Sequence, residues 1–267
     1  MPLTVTFDTN TLASVISLET AQRETGASGA AVRAAIEAGH IQGFFSETLV
    51  TLEGVEKKDR VDVLGKTRLV SGSSSGGKNE ITLTIGFRHF RNELNARVLE
   101  RVRSAVALGM RGLRAPARFG SYHAKEEICP LFMPPGGLPE LLQCMDGVNR
   151  IATEMARRHV GQAVAVELGV HFSQRGHVSE PELWLQGLGR ARNRTEAAKV
   201  AKAIGEYADG DSIASHYGFG IETFCSDDFG KGAAGPSVLD RDHRKWLADE
   251  FGIQFVTLSE LAERVAT

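Results

Sequence analysis

The chain is poor in cysteine, aromatic residues and long apolar runs. Three cysteines in 267 residues, Cys129, Cys144 and Cys225, are too few and too scattered for a disulfide framework or a paired-cysteine zinc site. No run approaches the roughly 18 apolar residues of a membrane-spanning helix. The opening MPLTVTFDTN has no basic-then-apolar leader layout and goes straight into strand-like sequence. These absences lead to the expectation of a cytoplasmic protein with no membrane partner. With 42% hydrophobic and 24% charged residues, the chain has enough apolar material for a full core.

The net charge is only −2, but charge is unevenly distributed. Residues 57–120 hold fourteen Lys or Arg against five Asp or Glu, a local surplus of about +9. Acidic segments flank this basic middle. A surplus of that size suits a phosphate backbone, and it equally suits a solvated surface of mixed charge.

The two ends of the chain share a pattern. LTVTF (3–7) reads as a strand that stops at Asp8, followed by helix-like spacing over 11–19. A helix is expected over 28–38, ended by Gly39, then a strand over 41–45. Ser46 is expected to cap a helix, ETLVTLEGV, that carries Glu53 among apolar neighbours. Near the other end, DSIASHYGFG reads as a helix, IETFCS as a strand ending at Asp227-Asp228, then helix 240–251, a strand in IQFVTL and a last helix. Alternating strands and helices indicate an α/β layered fold.

The middle differs. Strands are expected over 66–70 and 80–88 around SGSSSGGKN, and helices over 92–108, 138–159 and 180–208. Residues 59–190 therefore read as an inserted α+β lobe, with 1–58 and 191–267 forming the core. GSSSGGKN approaches a P-loop, but Asn79 replaces the hydroxyl residue and a strand follows where a helix is required. His123, His171 and His177 have no partners at metal-ligand spacing.

Carboxylates that follow parallel strands gather at one sheet edge, where open α/β sheets bind ligands. Asp8, Glu53, one of Asp209 and Asp211, and one of Asp227 and Asp228 could supply such a group. Crowded carboxylates repel and call for a hard cation, Mg²⁺ or Mn²⁺, which can activate water for attack at phosphorus.

TVTFDTNTL, IQGFFSETLVTLEG and DSIASHYGFGIETFCSDDF together resemble, in that order, the motifs of the PIN-domain family. They cover about half the chain. The resemblance implies a Rossmann-like core, a central parallel sheet flanked by helices, and metal-dependent hydrolysis of RNA. It implies Asp8, Glu53, Asp211 and Asp228 as catalytic and metal-binding acids. Asp209 and Asp227 remain alternatives to their neighbours, with Asp211 preferred because it sits against the helix. Asn10 and Ser226 would orient the carboxylates. The basic middle would offer Arg88, Arg91, Arg111 and Arg114 to RNA, and Phe87, His89 and Phe90 either stack on bases or fill a hairpin core. A protein inhibitor or a second copy of the chain are further expected partners. The alternative function is a PIN-like nucleic-acid-binding or assembly protein without turnover.

Overall fold

The computed structural model describes residues 1–17, 24–66, 68–75, 81–88, 96–114, 132–133, 136–175, 184–230 and 236–266. Of 68–75 and 81–88, and of residues 24 and 25, only the backbone is described.

Strand β1 (Leu3–Phe7) alternates β-branched and apolar residues and runs at the centre of the main sheet. Its neighbours are β2 (Ile41–Ser46) on one side and β7 (Thr223–Cys225) on the other, both parallel to it. Strands β5 (Arg111–Leu113) and β6 (Phe132–Met133) extend the β2 side, and β8 (Gln254–Val256) extends the β7 side. Among the described residues the sheet is six-stranded and wholly parallel, in the order β6-β5-β2-β1-β7-β8. The chain works outward from β1 to β6 and then returns to β7 at the other flank of β1. That reversal creates a crevice at the carboxyl ends of β1 and β7.

Both sheet faces are covered, as a parallel sheet requires. Val5, Phe7, Ile41, Phe45 and Cys225 face α1 (Thr9–Ile16), α2 (Glu24–Glu37), α4 (Ala96–Ala107) and α10 (Leu258–Ala266), through Leu12, Val32, Val102 and Leu261. Phe224 points the other way. It joins Ile151 and Met155 of α5 (Leu138–Arg157), Ile213 of α8 (Arg194–Gly218), and Leu247 and Phe251 of α9 (Arg241–Phe251). A third cluster joins Leu52 and α3 (Arg60–Gly65) to α6 (Gln162–Ser173), α7 (Trp184–Leu188) and the first half of α8.

The expected 59–190 lobe does not stand apart. Strands β5 and β6 belong to the main sheet, and α4 and α5 supply core residues to its two faces. Among the described residues only the antiparallel pair β3 (Arg68–Ser75) and β4 (Ile81–Arg88) forms its own sheet. Extended β3 and β4 flank residues 76–80, so the near-match to a P-loop lacks its helix. Two further expectations change. The segment after Ser46 is one 3-10 turn, Glu47–Leu49, followed by turns through Gly54, because Thr48, Val50, Thr51 and Gly54 are poor helix formers. The helix expected at DSIASHYG is the second half of α8, which runs unbroken for 25 residues. No helix among the described residues is long and apolar enough to cross a membrane.

Backbone contact fixes the position of α8. Gly161, at φ 62°, turns the chain between α5 and α6, and a Cβ on Gly210 would lie 2.7 Å from its Cα. Gly205, on the same helix, has nothing within 4 Å of the corresponding position. Gly205→Ala should therefore stabilise the fold by up to about 1 kcal/mol, through helix propensity. Gly210→Ala should destabilise it by about 1–3 kcal/mol, through overpacking. Urea unfolding of the two variants checks the opposite signs; equal shifts would contradict the close approach.

Candidate functional site

Asp8 occupies the residue after β1, level with Ser226 after β7, since Phe7 pairs with Cys225. The two strand ends are tied together. The Asp8 N–H donates to the Cys225 carbonyl at 3.0 Å, and the Thr11 hydroxyl donates to the same oxygen at 2.9 Å. The Ser226 hydroxyl donates to Asp8 Oδ2 at 2.7 Å and accepts from the Asp228 N–H at 3.1 Å. Asp8 is also the N-cap of α1, with Oδ1 accepting from the Thr9 N–H at 2.7 Å. A helix N-terminus favours the charged carboxylate there.

Glu53 comes in from the turns after β2. The Thr9 hydroxyl donates to Glu53 Oε2, so consecutive residues of one helix start hold two acids: Asp8 supplies one and Thr9 steers the other. Burial, chiefly, and the nearby Asp8 charge push the Glu53 carboxyl up to about 7. The Thr9 hydroxyl, Arg60 and Arg101 oppose that rise. Asp8 is likewise raised, first by burial and then by Asp228, against the Ser226 and Thr9 hydrogen bonds and Arg244.

The third acid is Asp209. Burial raises its carboxyl well above the usual range, and the charges of Asp8, Glu53, Glu206 and Asp228 add to the rise. Asp211, the residue favoured from sequence, lies elsewhere. Two residues along a helix turn the side chain by about 200°, and Asp211 Oδ1 accepts from Gln162 Nε2 at 2.8 Å. That preference took the helix to begin at Asp211, whereas both residues lie deep inside α8.

Asp227 and Asp228 also separate. Asp227 Oδ1 accepts from the Leu258 N–H at the start of α10, which makes it a tie to that helix. Asp228 stays in the crevice, its Oδ1 accepting from the Gly230 N–H at 2.8 Å in a tight turn. Asn10 is exposed on α1, and the orienting part foreseen for it falls to Thr9.

Two arginines border the acids. Arg60 is buried at the start of α3, where Nη1 donates to the Ala201 carbonyl at 2.8 Å and its charge faces Glu53 and Asp209. Arg244 of α9 donates from Nη2 to the Ser226 carbonyl at 3.2 Å and to the Asp228 carbonyl, and lies over the Phe229 ring at 4.4 Å. It clamps the turn that carries Asp228. Burial lowers both guanidinium pKa values, against the pull of the acids. The sequence held a signal for each. Arg60 shares a helical stripe with Val63 and Leu64, and Arg244 with Leu247 and Phe251.

Of the arginines expected to meet RNA, Arg114 is exposed just past β5, at the same sheet edge as Asp8. Arg111 is exposed at the start of that strand, level with Phe44. The side chains of Arg88 and Phe87, and all of His89, Phe90 and Arg91, lie outside the described residues, as do His123 and His177. The crevice offers carboxylate oxygens, the donor type that hard cations take. Among the described residues no three Asp, Glu, His or Cys side chains are grouped closely enough to hold an ion as they stand.

The raised Glu53 pKa has a direct consequence for stability. Between its ordinary value of 4.5 and about 7, the folded chain keeps a proton that the unfolded chain has released. Metal-free stability should therefore fall as pH rises through that window, by up to about 3 kcal/mol for this group. Asp8 and Asp209 act in the same direction. Glu53→Gln should flatten the fall and raise the melting temperature at pH 8 in EDTA. Melting curves from pH 4.5 to 8 for both proteins check this; parallel profiles would contradict it.

Comparisons with known protein families, with curated proteins and with solved structures found no match.

Proposed function

We propose that the chain is a PIN-like, divalent-metal-dependent ribonuclease that hydrolyses RNA phosphodiester bonds at the β1–β7 crevice. The observation that supports it most is the mutual effect of Asp8, Glu53, Asp209 and Asp228. Three of these carboxyls are pushed upward in pKa by burial and by one another. A fold gains nothing in stability from keeping several acids together in a dry crevice. Such a group makes sense when a cation joins it.

Bound Mg²⁺ or Mn²⁺ would neutralise the crowded acids and favour attack of water at phosphorus. The chain's own residues do the rest. Ser226 fixes Asp8, and Thr9 fixes Glu53 beside it. Glu53 can hold or release a proton near neutral pH. Arg60 and Arg244 hold the surrounding backbone and temper the negative field. Arg114, exposed at the same edge, would meet a phosphate backbone.

One observation favours a second reading, a PIN-like nucleic-acid-binding or assembly protein without turnover. The described acids are not drawn into a ready ligand group, and two buried arginines already offset part of their charge.

Cleavage of single-stranded RNA with Mn²⁺ or Mg²⁺, and its loss in EDTA, separates the two. Asp8→Asn and Asp209→Asn should each lower the rate at least about 100-fold, a barrier increase of about 2.7 kcal/mol. Asp211→Asn should stay within a few-fold of wild type. Mn²⁺ should stabilise wild type, by about 2.7 kcal/mol at a hundred times its dissociation constant, and Asp8→Asn much less. RNA cleaved by Asp8→Asn at the wild-type rate would defeat the nuclease reading.

A further inference from the structure

One face of α8 leads away from the acids. Lys199, Lys202, Glu206 and Asp209 follow one another at helical spacing, so they form a single stripe about 15 Å long, with cations at one end and the crevice acid at the other. Beside that stripe, between α6 and α8, lies a cavity of about 460 Å³. This volume is within the range of small-molecule sites. Val164, Leu168, Ala203 and Pro236 give it apolar walls. Lys199 and Lys202, both exposed, also line it, beside the exposed His171 and a Glu167 carboxylate that is paired with His159.

The inner end is acidic and rigid. Glu206 is buried there, with Oε1 accepting from the Gly161 N–H at 2.9 Å and from the Val238 N–H at 2.6 Å. A phosphate is repelled from that end and attracted to the lysines. A flat group with apolar faces and N–H edges suits the interior. Those two demands, a planar heterocycle inside and a phosphate outside, describe a nucleotide in one orientation. Glu206 and Asp209 are one helical turn apart, about 4.5 Å along the axis, so the cavity adjoins the crevice.

We propose that the α6–α8 cavity is a nucleotide subsite, which takes an unstacked base of a single-stranded RNA while Lys199 and Lys202 hold its phosphates. The proposal rests on the ribonuclease reading and adds what that reading lacks, a place where the strand is gripped beside the acids. Single strands offer such bases, and duplexes do not. The subsite therefore selects single-stranded substrate, and the cavity's shape sets a base preference next to the cut.

Binding can be tested apart from cleavage. The four nucleoside 5′-monophosphates are titrated into the full chain in EDTA and followed by calorimetry and by ligand-observed NMR. Leu168→Trp puts an indole into the cavity, and Lys202→Glu reverses a charge on an exposed helix surface without touching the core. Wild type should bind at least one monophosphate in the millimolar range or tighter, and both variants should weaken it at least tenfold. Lys202→Glu keeps the test decisive if Leu168→Trp fails to fold. No binding by wild type, or equal binding by a folded Lys202→Glu, overturns the subsite. Monophosphate binding without RNA cleavage would uphold the subsite and defeat the nuclease reading. RNA cleavage without monophosphate binding would do the reverse.

Discussion

The hydrogen bond from Ser226 to Asp8 is the contact on which the site depends. It joins the carboxyl ends of β1 and β7, two strands adjacent in the sheet but 218 residues apart in the chain. Parallel pairing at the sheet centre brings those ends level. The hydroxyl then fixes one buried carboxylate and, through the Asp228 N–H, the turn that carries another. Glu53 is attached to the same point by Thr9, and Asp209 approaches from α8 on the opposite flank. The acids come from four separate segments, and the chain after β1 and the chain after β7 share one edge because the strand order reverses at β1.

Holding them there opposes stability. Asp8, Glu53 and Asp209 lose water, and neighbouring charges push their pKa values further up. The fold answers with fixed dipoles and two buried arginines. The start of α1 faces Asp8, Arg60 faces Glu53 and Asp209, and Arg244 braces the turn at Asp228. None of these removes the repulsion, since Glu53 and Asp209 stay raised. A functional site that strains against the fold's own stability is a common arrangement.

The sequence made the crevice legible where local signals were strong. Strand β1 ends just before Asp8 and β7 just before Ser226, and both ends are marked by the change from apolar residues to acids. The choice of Asp209 over Asp211 was not legible, because it depends on which side of a long helix meets the sheet. Gly161 and Gly210 set that rotation by backbone contact, which no periodicity records. The strands β5 and β6 escaped notice for a different reason. Three and two residues long, amid Gly, Arg and Pro, they take their extended form from the sheet they join. Thr9 is hidden as a threonine beside the expected Asn10, and the two arginines stand in charged runs with only their apolar helical neighbours as a signal.

Asp8, Glu53 and Asp209, with the Asp228 charge beside them, form one electrostatically coupled group. Carbon-13 NMR of the side-chain carboxyls in the metal-free protein measures this directly. Glu53 should titrate near 7 in wild type and at a lower pH in Asp8→Asn, where the charge that raises it is gone. A Glu53 midpoint near the ordinary 4.5, unmoved by Asp8→Asn, would show that the acids are not coupled.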